Sequence, residues 1–129
     1  MTAGPEDFTR SFAALWGARD AEALAVLTAE DAEMLTLTGV WCEGRGTIAT
    51  ALKAELAGAF ARSRLVTGKS RLRVLGPGAA VLHQRFVLSG VIDDQGRDIG
   101  RLGAMLTAVL VARAEGWQAV TLHFSAIDS

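Results

Sequence analysis

Tyrosine is absent from the 129 residues, and there are two prolines, two histidines and one cysteine. The missing tyrosine excludes a phenolic hydroxyl as a proton donor. A lone cysteine, Cys42, cannot form an internal disulfide, which suits a reducing compartment. No charge dominates: 13 Lys and Arg stand against 14 Asp and Glu, a net charge of -1. That balance argues against a nucleic-acid or anionic-membrane partner. No apolar run is longer than the five residues of 108–112, far too few to cross a bilayer. The first residues, Met1 to Asp7, are acidic and lack the apolar core of a secretory signal, so a cytoplasmic location is expected.

What is present is a globular composition, 50% hydrophobic and 21% charged, of a length suited to one domain over residues 1–129. Its Ala, Gly and Arg content is of the kind that GC-rich bacterial genomes encode. Pro5, followed by Glu6 and Asp7, suits the start of a helix. Phe8, Phe12, Leu15 and Trp16 then fall on one helical face that ends near Gly17. Asp20 can cap a short second helix carrying Leu24 and Leu27, with residues 28–31 ending it. From Ala32 the period changes: Met34, Thr36 and Thr38 alternate with Leu35 and Leu37 as in a strand, Gly39 turns the chain, and residues 40–42 return. Residues 44–46 break the hairpin. A helix over 47–62 is expected, with Ile48, Leu52, Leu56, Ala59 and Phe60 on one face. The remainder reads as four strands, over 65–75, 79–92, 99–114 and 117–127, separated by Gly76-Pro77-Gly78, a polar loop at 93–97 and Glu115-Gly116.

Helices first and antiparallel strands afterwards make an α+β domain. The long strands carry apolar side chains on both faces, for example Leu106, Val109, Leu110 and Val111. Helices can cover one face. A second copy of the chain is the simplest cover for the other, which predicts a homodimer through the outer sheet face.

Gly39-x-Trp41-x-x-Gly44-Arg45-x-x-Ile48 resembles the hairpin-to-helix motif of SnoaL-like proteins of the nuclear transport factor 2-like superfamily, most closely its SgcJ/EcaC-type group. Gly116-Trp117 with Leu122-His123-Phe124-Ser125 resembles that superfamily's last strand, and Val81-Leu82-His83-Gln84-Arg85 its fourth. The resemblance covers roughly residues 8–127. It implies a cone-shaped, cystatin-like fold: three N-terminal helices and a small hairpin packed on a curved antiparallel sheet. It also implies a small hydrophobic molecule, polyketide-like or another secondary metabolite, bound inside the cone. The chemistry would be proton transfer, as isomerisation, cyclisation or dehydration; binding or dimerisation without catalysis is the alternative. Fold alone does not choose.

The superfamily's ketosteroid isomerases would place a carboxylate base near Leu35 or Thr36 and an acid near Ala108, and neither position holds one. The absent tyrosine removes the other oxyanion donor. Three residues are then candidates for catalysis. His83 and Arg85, two apart, share a strand face, where the resemblance points them into the cone. His83 would move a proton and Arg85 would hold developing negative charge. His123, on the face of Trp117, Thr121 and Ser125, would complete an acid–base pair. Each also reads as a solvated, dimer-facing or core residue. Thr36, Trp41 and Thr121, with Phe12, Trp16 and Phe60, would line the ligand pocket, or serve only as strand and core residues. Cys42 reads as structural, its pKa raised by Glu43. No cofactor is implied: residues 44–46 lack the nucleotide-loop fingerprint. Two histidines without a carboxylate cluster make a poor metal site.

Overall fold

The computed structural model describes residues 3–127. A short 3-10 turn at Pro5–Asp7 leads into helix α1, Phe8–Gly17. Helix α2 is Ala21–Val26, started by the Asp20 side chain, which accepts a hydrogen bond from the Ala23 N–H at 3.0 Å. Strands β1, Thr28–Leu35, and β2, Trp41–Glu43, form the hairpin before helix α3, Arg45–Ala57. Four long strands follow: β3, Arg64–Gly76; β4, Ala79–Ser89; β5, Leu102–Arg113; and β6, Gly116–Ile127.

All six strands join one curved, open sheet in the order β2-β1-β6-β5-β4-β3, with the helices on one side. The expected α+β architecture is therefore present. Four of the pairings are antiparallel, but β1 and β6 run parallel. Nothing forces those two into a hairpin, because most of the chain lies between them. The strand expected from Ala32 begins earlier, at Thr28, where residues 28–31 were expected only to end a helix. Helix α3 ends at Ala57 rather than 62, because Gly58 leaves helical geometry at φ -110° and ψ -112°. Phe60 lies in the turn beyond it and is still buried. The strand expected from Ile99 forms from Leu102, and Ile99 is exposed.

The hairpin-to-helix motif has a structural account. Gly39 and Gly44 adopt φ of 91° and 93°, the left-handed region that glycine occupies without a Cβ penalty. Arg45 folds back so that its guanidinium donates to the Thr28 carbonyl, tying the start of α3 to the start of β1. Ile48 is fully buried.

One core fills the space between helices and sheet. Leu82, Phe86, Leu106, Leu110, Leu122 and Phe124 point up from the sheet to meet Phe8, Phe12, Trp16, Leu24, Leu52 and Leu56. Phe12 stacks on Phe86 and meets Phe124 edge-on, with ring centroids 6.1 and 5.8 Å apart. Trp16 contacts Phe60 and Phe124. Its indole N–H donates to Ser63 Oγ at 2.9 Å, and that hydroxyl donates to the Phe60 carbonyl. Gln84 is buried among these apolar groups and satisfied: Thr9 donates to its carbonyl, and its amide donates to the Gly68 and Arg85 carbonyls. Among the described residues, no helix is long and apolar enough to cross a membrane.

Candidate functional site

Strand register decides where the anticipated catalytic groups lie. Leu82, Gln84 and Phe86 are the buried, helix-facing residues of β4, so His83 and Arg85 between them face the other way. Direct pairings run Arg71–His83–Thr107–His123–Leu35–Trp41 across all six strands. This row lies on the outer face of the sheet. His83 Nδ1 and Thr107 Oγ1 are 3.2 Å apart, and the His123 and Trp41 rings meet edge-on at 6.0 Å. The expectation that His83, Arg85 and His123 point into the cone is corrected: all three point away from it. An odd-numbered slip between neighbouring strand positions exchanges the faces, and both faces of these strands are apolar enough to be the inner one. His83 and Arg85 line one outer hollow of about 460 Å³ with Lys69, Ser70, Arg71 and Met105. His123 lies on the far side of Thr107 from it.

The anticipated pocket residues divide in the same way. Phe12, Trp16 and Phe60 are in the cone but pack against one another, so the deep part is filled by the chain itself. Thr36 is buried on the inner side. Trp41 and Thr121 are on the outer face, where Thr121 donates to Glu33 at 3.3 Å and Trp41 is 47% exposed.

One inward-facing carboxyl was not anticipated. Glu55 lies on α3 seven residues after Ile48 and three after Leu52, on the helix face that meets the core. Both of its carboxyl oxygens are buried without a hydrogen-bond partner. Burial pushes its pKa above the ordinary value of 4.5; the Thr36 and Thr38 hydroxyls, which face it without closing to a hydrogen bond, pull it partly back. These two hydroxyls are 3.3 Å from each other, and Thr38 is exposed at the hairpin turn. The Cys42 thiol is also pushed up, first by burial and then by the negative charge of Glu55. Glu43, the neighbour expected to act on it, points to the outer face instead. A glutamate inside an apolar i, i+4, i+7 stripe, Ile48, Leu52 and Glu55, is the signal in the sequence that points to this group. Among the described residues, no group of three or more His, Cys, Asp or Glu could hold a metal ion.

No protein-family model matches the chain, and no curated protein matches it. Solved structures do. An uncharacterised cystatin-like protein from Caulobacter vibrioides superposes with a TM-score of 0.86 at 20% identity, over 95% of this chain and 87% of that one. The fold is the cystatin-like, nuclear transport factor 2-like fold. A candidate calcium/calmodulin-dependent protein kinase II association domain from Xanthomonas campestris shares it, with a TM-score of 0.80 at 19% identity over 96% and 86% of the two chains. So does a candidate scytalone dehydratase from Novosphingobium aromaticivorans, with a TM-score of 0.79 at 14% identity over 95% and 81%. At these identities the likeness is one of nuclear transport factor 2-like architecture.

Proposed function

We propose that this chain, a SnoaL-like domain of the SgcJ/EcaC type, binds a small hydrophobic secondary metabolite beneath the β1–β2 hairpin. There it moves a proton on the ligand, with Glu55 as acid or base. The observation that carries the reading is the Glu55 carboxyl, buried with both oxygens unpartnered beside two threonine hydroxyls. An orphaned carboxyl costs stability, so its presence calls for a role. A neutral carboxylic acid in an apolar wall can donate to a carbonyl oxygen; once ionised, it can take the proton from the adjacent carbon. Aromatic packing fills the deep cone, so a ligand that reaches Glu55 has to be small. The candidate scytalone dehydratase with this fold is consistent with that chemistry. The domain works as a homodimer joined through the outer sheet face, the face that no helix covers.

Deuterium exchange into cyclohex-2-enone tests the proton transfer, followed by NMR with and without protein. Wild type accelerates exchange, and Glu55→Gln removes most of the acceleration, by about 100-fold for a general acid–base group. Equal rates for the two proteins would refute the role of Glu55. Shifts in the Thr36 and Glu55 signals on adding the enone test binding separately.

A further inference from the structure

Strand β1 parts from β6 near its start. Thr28 pairs with Ala119 and Glu33 with Thr121, so residues 29–32 stand opposite Val120 alone. Val120 is itself an extra residue in the ladder of β6 with β5, where Leu110 pairs with Ala119 and Val109 with Thr121. Two bulges therefore meet at one place. A bulge bends its strand and re-aims the side chains there. Beside them lies a cleft of about 730 Å³, at the opposite end of β1 from Thr36, and Glu55 does not line it. Glu30 and Asp31 reach it from the bulge, Arg113 and Glu115 from the β5–β6 turn, and Arg45 from the head of α3. Among the described residues, none of these five charges closes to an ion pair. Arg45 is held in place by the Thr28 carbonyl. Helix α3 starts beside it without a side-chain cap, so its first N–H groups add positive potential at this end.

Gln118 also lines the cleft and is its most deeply set polar group. The residue is 8% exposed, and among the described residues its side-chain amide has no hydrogen-bond partner. Gln84, the other buried glutamine, has both ends of its amide bonded. Gln118 therefore offers the cleft one free acceptor and a free donor group.

We infer that this cleft binds a small zwitterion of dipeptide size, with an amide between its charged ends. The charges select the class. A simple anion would meet Glu30, Asp31 and Glu115; a simple cation would meet Arg45 and Arg113. A molecule with one charge of each sign avoids both repulsions. Its carboxylate goes to Arg113, since a guanidinium grips a carboxylate through two parallel bonds. Its ammonium goes to the carboxylates. Its peptide group pairs with Gln118, amide to amide, each donating once and accepting once. The volume falls within the range of small-molecule sites and exceeds what a free amino acid fills. This site goes beyond the proton-transfer reading and does not depend on it.

Titration of isotope-labelled protein with L-alanyl-L-alanine, followed by NMR, tests the site. The dipeptide should shift the Gln118 side-chain amide signals and saturate with a dissociation constant of about 1 mM or less. Its N-acetyl form and its C-terminal amide each lack one charge and should bind about tenfold more weakly or worse. Gln118→Leu, of similar volume, should weaken the dipeptide by about tenfold. Arg113→Gln should erase most of the preference for the dipeptide over its C-terminal amide, because the group that reads the carboxylate is gone. Circular dichroism confirms folding; if Gln118→Leu does not fold, the exposed Arg113→Gln carries the test. No shift at Gln118 up to about 20 mM dipeptide overturns the site. Capped forms that bind as tightly as the dipeptide overturn the zwitterion as its ligand. A folded Gln118→Leu that binds like wild type overturns the amide pairing, and an Arg113→Gln that keeps the full preference overturns the carboxylate's place.

Discussion

Glu55 shows how one residue can be both a stability cost and a functional signal. Its pKa is raised in the folded state, so between the ordinary value and the raised one the native chain holds a proton that the unfolded chain has released. Stability contributed by the protonated carboxyl is full below the ordinary value of 4.5 and is lost as pH rises through the raised one. Urea unfolding of wild type and Glu55→Gln across that window should therefore show wild type losing stability relative to the variant as pH rises. A difference that does not change with pH would mean that the carboxyl is not buried as described. Glu55→Leu, which removes the orphaned oxygens, should stabilise the fold by about 1 kcal/mol or more while abolishing ligand binding. Ser63 is the contrasting case, a buried polar group with every bond in place. Ser63→Ala leaves the Trp16 indole N–H without an acceptor and should cost about 1–3 kcal/mol, read from the unfolding midpoint of tryptophan fluorescence.

Between elements, the tightest join is the turn after β4. Gly90 has φ of 74°, and a Cβ there would lie 2.3 Å from the Arg62 carbonyl oxygen. Neither strain can relax cheaply, because the Ile92 N–H is bonded to the Ala59 carbonyl just beyond. Gly90→Ala should cost about 3 kcal/mol or more, measured by chemical denaturation. At this scale much was legible in the sequence. Phe8, Phe12 and Trp16 announce α1, and turn residues mark the four long strands. The reason is that period and turn chemistry are local properties. The sign of each strand's face is not local. Residues at His83 and Leu82 alternate whichever way the sheet is turned, and Val81 and Val109 make the outer face look like a core. Side-chain size held a clue, since the inner face carries Leu and Phe and the outer face Val, Thr, His and Arg. The parallel pairing of β1 with β6 had no local signal, because it joins distant parts of the chain. Glu55 was hidden for a different reason: its place in the apolar stripe of α3 was visible, but a helix glutamate ordinarily faces water.

Taken whole, the molecule is nearly neutral, with a net charge of -1, so its total charge neither drives nor opposes self-association. What matters is the arrangement of charge on the outer sheet face, which carries Lys69, Arg71, Arg73 and Arg85 on β3 and β4 and Glu33 and Glu43 on β1 and β2, so that in the homodimer proposed above Arg73 of one copy can face Glu43 of the other. An interface held mainly by Val81, Val87, Val109 and Val111 would be insensitive to sodium chloride, or slightly strengthened by it. An interface also aligned by Arg73 with Glu43 at the rim would weaken, since the screening length falls from about 10 Å at 0.1 M to about 3 Å at 1 M. Rim pairs contribute little each, but symmetry doubles every one of them. The expected result is a dimer dissociation constant that rises severalfold over this range. The Arg73→Glu, Glu43→Arg double variant should keep the same dependence, because exchanging the charges preserves their attraction. The doubly neutral Arg73→Gln, Glu43→Gln variant should lose much of it. Sedimentation of the three proteins at low and high salt separates the contributions. If the neutral variant keeps the full salt dependence, other charges align the two copies and the pairing of Arg73 with Glu43 is wrong.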